Sequence, residues 1–149
     1  MAQTYFGSAV RAGSTALTDT TDGGYMVLSQ TTTVATVAAG TATSATITLP
    51  ASSQILQFLV DTVTDEVVGG GTATAIAMTI GTAAAGTQYV SSTDVIGGGR
   101  IALSFTAAQL TAMSDIGTSQ SVVITVDPNG TISTTQGVYR LTVVYSQKI

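Results

Sequence analysis

Apolar and polar residues alternate with a period of two along most of this chain. In TSATITLP, residues 43–50, the apolar Ala45, Ile47 and Leu49 are separated by hydroxyl residues, and Pro50 follows. This period is typical of a β-strand with one buried and one solvated face, and proline ends the hydrogen-bonded ladder. Similar alternation predicts strands in ATAIAMTIG (73–81), SVVITV (121–126) and GVYRLTVVY (137–145), while YMVLS (25–29) and TTTVATVA (31–38) are further strand candidates.

One strand is predicted to be covered on both sides. QILQFLVDTV, residues 54–63, places Leu56, Phe58 and Val60 on one face. The opposite face carries Ile55, Leu59 and Val63. Such doubly apolar strands are typical of the centre of a sheet.

A single helix is predicted, in FTAAQLTAMSD (105–115). Thr106 suits the N-cap, and Gln109 lies three residues later, where it completes a capping box. Ala107, Leu110 and Met113 then share one face, which we expect to pack on a sheet because so short a helix is marginal alone.

The strongest local turn signal is DPNG at 127–130. Pro128 presets φ for a type I turn, and Gly130 supplies a left-handed residue at a bulge. We therefore expect SVVITV (121–126) and TISTT (131–135) to pair as a hairpin.

These elements predict an all-β fold, an antiparallel β-sandwich or jelly roll with one short helix at about 106–114. A parallel sheet would need helical crossovers that the pattern lacks. Residues 25–149 form one domain in this interpretation, and residues 1–24, rich in Gly, Ser, Thr and Ala, form an extended N-terminal arm. The arm is either a frayed terminus or a segment that orders on a partner.

The amino-acid composition excludes several kinds of functional site. The 149 residues include no cysteine and no histidine, so disulfides, thiolate metal sites and the usual general base are excluded. Only 8% of residues are charged, whereas serine and threonine fill 43 positions. The net charge of −4 and four scattered basic residues do not favour binding to nucleic acid or an anionic membrane. No segment has the roughly 20 apolar residues that a membrane-spanning helix needs.

Two glycine triplets, Gly69–Gly71 and Gly97–Gly99, raise the question of a phosphate loop. Such a loop leads into a helix and carries a lysine at a fixed offset. Here each triplet precedes an apolar extended segment, and Arg100 is the nearest basic residue after the first. The triplets are therefore interpreted as turns or flexible loops.

The acidic residues come nearest to a site. Asp61, Asp65 and Glu66 lie close in sequence, but their spacing fits no cation loop. If the strand continues, Asp61 and Asp65 share a face at its exposed end. Asp19 and Asp22 suit turn chemistry. No metal, cofactor or catalytic residue is predicted, since no base is present to activate a hydroxyl nucleophile.

Four residues are candidates for an interface: Arg11, Arg100, Arg140 and Tyr89. Arg140 interrupts an apolar strand, either as an exposed residue whose stem covers its neighbours or as a fork that pairs with a carboxylate across an interface. Arg100 has the same two interpretations and is presented by a loop. Tyr89, in TQYVSST, is the candidate aromatic platform.

The order of elements resembles small virion proteins of tailed bacteriophages, especially capsid decoration (cement) and related head accessory proteins. The segments that carry the resemblance are ATITLPASSQILQFLVDTVTDEV, AIAMTIGTAAAGTQYV, IGGGR and GVYRLTVVYS, within residues 43–149. The resemblance implies a non-enzymatic β-sandwich subunit, often trimeric, on the outer capsid surface. Its implied partner is the major capsid protein, bound at capsomer junctions after assembly in the host cytoplasm.

Two alternatives remain open. A carbohydrate-binding or adhesive module, in a head fibre or tail component, would use Tyr89, although the chain has no tryptophan. A hydrolase would use Asp61 and Glu66 as a carboxylate pair.

Overall fold

Strands follow the alternating segments closely. The computed structural model describes residues 11–12, 15–16, 25–114, 117–132 and 134–148, without the side chains of residues 11, 12, 15, 16 and 148. The elements are β1 (Arg11–Ala12), β2 (Thr15–Ala16), β3 (Tyr25–Ala35), β4 (Thr43–Leu49), β5 (Ser53–Thr64), β6 (Ile76–Gly81), β7 (Val90–Asp94), β8 (Arg100–Ile101), α1 (Ala107–Ala112), β9 (Gln120–Pro128) and β10 (Val138–Lys148).

Eight of these strands form two four-stranded antiparallel sheets. Sheet I has the order β3-β10-β5-β8, and sheet II has the order β4-β9-β6-β7. Apolar side chains from both sheets meet in one continuous core. This arrangement confirms the predicted all-β antiparallel sandwich with one short helix. The pair β1–β2 is a separate two-stranded ribbon.

The core is built from the inward side of each alternating segment. Ile76, Met78 and Ile80 of β6 are fully buried, as predicted. The inward residues of β4 and β10 follow the same parity, so those predictions are also confirmed. Burying each such aliphatic side chain contributes about 1.5–3 kcal/mol relative to exposure.

Strand β5 departs from the prediction that both its faces are covered. Ile55, Phe58 and Val60 are buried, but Leu56 and Val63 are 46% and 54% exposed. Both exposed residues are extra residues in β-bulges, because the pairing with β10 shifts by one position at each. At Leu56 the bulge changes the parity of the strand, so this residue, which simple alternation places on the face of Phe58 and Val60, faces outward.

The strand buried on both faces is instead β9. Its inward residues Val122, Ile124 and Val126 are in the core, and Thr125 on the opposite face is also buried. The Thr125 hydroxyl accepts a hydrogen bond from the Ala85 backbone N–H at 2.9 Å. The loop between β6 and β7 therefore covers the outer side of this central strand.

The predicted hairpin after DPNG is wrong. Strand β9 already pairs with β4 on one side and β6 on the other, so no edge remains for TISTT. Thr131 instead bonds to the backbone of Thr72 and Ala73. Asn129 Oδ1 accepts from the backbone N–H groups of Thr74 and Ala75, which fixes the chain without a left-handed glycine at this position.

Helix α1 begins as predicted, and Met113 of its predicted face is buried in the core at the C-cap. The capping box between Thr106 and Gln109 is present. Leu110 is 54% exposed, contrary to the predicted apolar face, and Gln109 is buried. Its amide donates to the Thr87 carbonyl at 3.1 Å and to the Ser91 hydroxyl at 2.9 Å. These polar bonds dock the helix because buried amides need partners.

The two N-terminal strand candidates, 25–29 and 31–38, merge into the single strand β3. It pairs with β10 over all 11 residues without a register shift. The predicted arm, residues 1–24, lies outside the described residues apart from the backbone of β1 and β2. No helix in the described part of the chain has the length and apolar character of a membrane span.

Candidate interaction surface

A row of three charged side chains crosses the outer face of sheet I. Asp61 lies on β5, between Arg140 on β10 and Arg100 on β8, and the register places all three side by side. Arg100 Nε donates to Asp61 Oδ1 at 2.8 Å, and Arg140 Nη2 donates to Asp61 Oδ2 at 3.2 Å. We call these three residues the ionic row.

The ionic row is solvated at its two ends. The Arg100 and Arg140 side chains are 64% and 48% exposed, whereas the Asp61 side chain between them is 17% exposed. The hydrogen bond from Arg100, together with that from Arg140, lowers the pKa of Asp61 below its ordinary value. The carboxylate in turn raises the pKa of Arg100.

One carboxylate does not neutralise two guanidinium groups, so the ionic row has a net charge of +1. Asp61 is the acidic partner of both arginines among the described residues, and each donates one hydrogen bond to it. A guanidinium carries several N–H donors, so both arginines keep donors that face solvent.

Apolar side chains flank the ionic row along the strands. Leu56 and Val63 lie on β5 to either side of Asp61 and are exposed as bulge residues. On β10, Val138 and Val144 are half-buried to either side of Arg140. The outer face of sheet I therefore combines apolar side chains with hydroxyl groups, such as those of Thr31 and Thr142, and is crossed by one charged row.

The outer face of sheet II has different chemistry. Its exposed β4 positions are Ser44, Thr46 and Thr48. The strands of sheet II contain two aspartates and no basic residue, a charge of −2. The strands of sheet I contain three basic residues and one acid, a charge of +2. The strands of the two sheets thus differ in the sign of their net charge.

The second glycine triplet positions Arg100. Gly97, Gly98 and Gly99 all have positive φ, of 96°, 78° and 85°. The Gly97 backbone N–H donates to Glu66 Oε1 at 3.2 Å. Gly98 lies so close to the Asp65 carboxylate that a Cβ there would overlap it. The triplet is a turn that leads directly into β8, as the sequence predicts.

The first triplet is also a turn. Gly71 N donates to the Val68 carbonyl at 2.8 Å, and Gly69 has a φ of 58°. The segment leads into β6 rather than a helix, so the geometry is not that of a phosphate loop.

The Glu66 carboxylate accepts two hydrogen bonds, one through each oxygen. Besides accepting from Gly97, it accepts from the Tyr139 hydroxyl at 2.6 Å through Oε2. Burial, with the nearby Glu66 carboxylate, raises the pKa of Tyr139 well above its ordinary value. Tyr139 is completely buried, so this bond ties the sheet I core to the segment that carries Arg100.

The acidic residues therefore separate instead of converging. Asp61 belongs to the ionic row, while Asp65 and Glu66 follow the end of β5 and contact the glycine turn. The condition for Asp61 and Asp65 to share a face is not met, because β5 ends at Thr64 after a bulge and Asp65 lies beyond the strand. In the described ranges no group of three or more acidic side chains is placed to hold a metal ion.

Tyr89 does not form the exposed platform that a glycan site requires. Its side chain is 2% exposed, and its ring centroid lies 5.6 Å from that of Phe58. Burial raises the pKa of its hydroxyl. Tyr89 lies in the loop between β6 and β7, as the sequence predicts, but its side chain turns into the core instead of facing solvent. Arg11 lies in β1, and its side chain is outside the described residues.

Sequence reasoning nominated Arg100 and Arg140 separately but missed their common partner. Asp61 is 39 residues from Arg100 and 79 residues from Arg140 in the sequence, so only the pairing of the strands brings the three side chains together. One available signal was parity, since Asp61 and Arg140 are both charged residues at outward positions of adjacent apolar strands. No local signal identifies the Tyr139–Glu66 bond.

Comparison of the chain with protein-family models, with curated proteins and with solved structures finds no match in any of the three.

Proposed function

We propose that this protein is a non-enzymatic structural component of a tailed-phage virion. It binds the major capsid protein at capsomer junctions on the outer surface of the head and stabilises the shell. It is assembled in the host cytoplasm as a homo-oligomer, with a trimer favoured. The proposal starts from the sequence resemblance and is supported by the surfaces that the sandwich offers to neighbours.

The observation that carries the proposal is the exposed edge of β3. Among the described strands, β3 pairs with β10 alone, and its 11 residues include no charge, proline or bulge. Its first residues Tyr25, Met26 and Val27 are 65%, 48% and 65% exposed. Soluble proteins usually protect such an edge with charges, prolines or bulges. An unprotected edge favours a protein that works within an assembly, where another chain covers it.

The stabilisation of the shell is tested with heads of the encoding phage prepared without the protein. Purified protein is added, unbound protein is removed by sedimentation, and the heat stability of the heads is compared with that of undecorated heads. Co-sedimentation with a raised melting temperature is expected. Equal melting with no co-sedimentation would contradict the proposed function.

The exposed edge of β3 is tested separately, as the contact between copies in the oligomer. Val27→Lys places a charge on β3 and is expected to reduce the oligomer, because edge lysines oppose strand pairing. Leu110→Lys is the matched control, since Leu110 is also an exposed apolar residue but lies on α1. Sedimentation velocity measures both. An oligomer that survives Val27→Lys unchanged would show that this edge is not the contact.

A further inference from the structure

The outer face of sheet I adjoins the β3 edge, since β3 is the edge strand of that sheet, and it combines three features. It carries the ionic row with its excess positive charge. It has exposed apolar side chains at Leu56 and Val63 on either side of that row. It also belongs to the sheet whose strands carry a net positive charge, in a protein whose net charge is −4. These features together define the chemistry of a partner.

We propose that the outer face of sheet I docks on an apolar protein surface that presents a carboxylate, which binds between Arg100 and Arg140. The inference rests on the proposed function in taking the capsid shell as the partner. It adds which face of the sandwich contacts the shell and which chemical group the shell supplies.

The ionic row is suited to a second carboxylate. Asp61 engages one N–H of each guanidinium, so the remaining donors of the two arginines are available on the outer side. Guanidinium groups bind carboxylates through paired, charge-assisted hydrogen bonds. A partner carboxylate would bring the row to neutrality, with two positive and two negative groups.

The apolar flanks strengthen that contact. Leu56 and Val63 stand out from β5 because each is the extra residue of a bulge. When a partner surface covers them, water leaves the surroundings of the row, and a charge pair is stronger where the effective dielectric constant is lower. In protein interfaces, the residues that contribute most to binding are typically surrounded by contacts that add little binding energy themselves but exclude water.

A second copy of this chain is the less suitable occupant. A two-fold contact between two such faces would place one ionic row against another, each with a charge of +1. Like charges facing each other oppose association. The acidic outer face of sheet II is the alternative surface for a basic partner, and it lacks exposed large apolar side chains on β4.

The test compares two variants with equal charge. Arg100→Gln with Arg140→Gln removes the two guanidinium groups, and Thr46→Glu with Thr48→Glu adds two carboxylates to the outer face of sheet II. Each pair adds two negative units to the net charge of −4. General repulsion from an acidic shell is therefore the same in both, and a difference in binding reports the ionic row.

Binding to undecorated heads of the encoding phage is measured by co-sedimentation at several salt concentrations. The arginine variant is expected to bind about tenfold or more weakly than wild type, while the threonine variant changes by less than about threefold. Wild-type binding should weaken with salt more steeply than binding of the arginine variant. Equal binding by wild type and both variants would overturn the proposal.

The apolar flank gives a test that does not depend on the arginine variant folding. Leu56→Ser with Val63→Ser is expected to weaken head binding while leaving its salt dependence unchanged. Leu110→Ser, at an exposed apolar residue of α1, is the control and should bind as wild type does. Unchanged binding by the flank variant would overturn the assignment of this face.

Two further outcomes are distinguishable. If wild type does not bind the heads at all, the proposed function fails, and the assignment of this face to the shell fails with it. If wild type binds but the arginine variant loses its oligomeric state in sedimentation velocity, the face is a contact between copies, and the carboxylate proposal is overturned while the proposed function stands.

Discussion

Removing one hydroxyl group from the core of sheet I should measurably lower the free energy of unfolding. In Tyr139→Phe the buried ring remains in place, and the bond from its hydroxyl to Glu66 Oε2, 2.6 Å in length, is lost. Glu66 keeps its second donor, the Gly97 backbone N–H. The substitution therefore isolates the bond that joins β10 to the turn before Arg100.

The magnitude follows from the acceptor and its surroundings. A hydrogen bond to a charged group contributes about 1.5–3 kcal/mol. Glu66 is only half-buried and retains one partner, so water compensates in part and we expect a loss of about 1–2 kcal/mol. For a domain of this size, that loss lowers the melting temperature by roughly 2–8 °C.

Urea and thermal unfolding measure the loss, with Tyr145→Phe as the matched control. Tyr145 is a buried residue of the same strand, and its hydroxyl accepts from the neutral Gln30 amide at 3.0 Å. Removing the Tyr145 hydroxyl should lower the free energy of unfolding by less than removing the Tyr139 hydroxyl, because its partner is neutral. A double-mutant cycle with Glu66→Gln should give a coupling of about 1 kcal/mol. Zero coupling, or equal losses in both phenylalanine variants, would refute the reasoning.

The same bond predicts a response to alkali. The pKa of Tyr139 is raised in the folded protein above its ordinary value of 10.0. Its contribution to stability is therefore complete below about pH 10 and is lost as the pH rises further. Wild type should lose stability above that pH more steeply than Tyr139→Phe. Parallel curves for the two proteins would contradict this assignment.

Two further predictions concern the ionic row and the helix. Asp61→Asn should destabilise the protein at neutral pH. The difference from wild type in the free energy of unfolding should shrink as the pH falls below 3.8, because a carboxyl group with a lowered pKa contributes stability that is lost as the pH falls through that pKa. Urea unfolding measured across this range checks the prediction, and a difference that does not shrink contradicts it. Thr106→Ala removes the side-chain acceptor of the capping box and should cost about 0.5–2 kcal/mol in thermal unfolding, whereas Thr111→Ala in the same helix, away from the N-cap, should cost less.

The parts of the fold that sequence could predict are those governed by local rules. Strands β4, β6 and β10 keep strict alternation and bury the predicted side. The start of α1 follows from a capping box contained within four residues. In each case the residues that decide the structure are neighbours in the chain, so their pattern is visible without knowledge of the partner strands.

The sequence-based predictions fail where the structure is determined by pairing between segments that are distant in the chain. The bulges at Leu56 and Val63 exist because β5 must match β10, and the residues themselves look like ordinary core positions. DPNG has the composition of a hairpin turn, but β9 is already paired on both sides. Tertiary pairing overrides local turn chemistry here, since leaving a central strand unpaired would cost more.

The two arginines of the candidate surface are predictable from the sequence, but their geometry and their common partner are not. Arg100 and Arg140 are unusual as charged residues in a chain with few charges, and sequence singles out both. Their meeting at Asp61 depends on the order β10-β5-β8, which no local pattern specifies. Tyr89 was the opposite case, because an aromatic residue in a polar segment proved to be buried.

The orientation of the sandwich on the head tests the account most directly. A cryo-electron microscopy reconstruction of heads carrying the protein should show two-layered β density at the capsomer junctions on the outer surface. Sheet I should face the shell, with a shell carboxylate at Arg100 and Arg140, and sheet II should face solvent. Heads that carry no such density, or sandwiches that face the shell through sheet II, would contradict it.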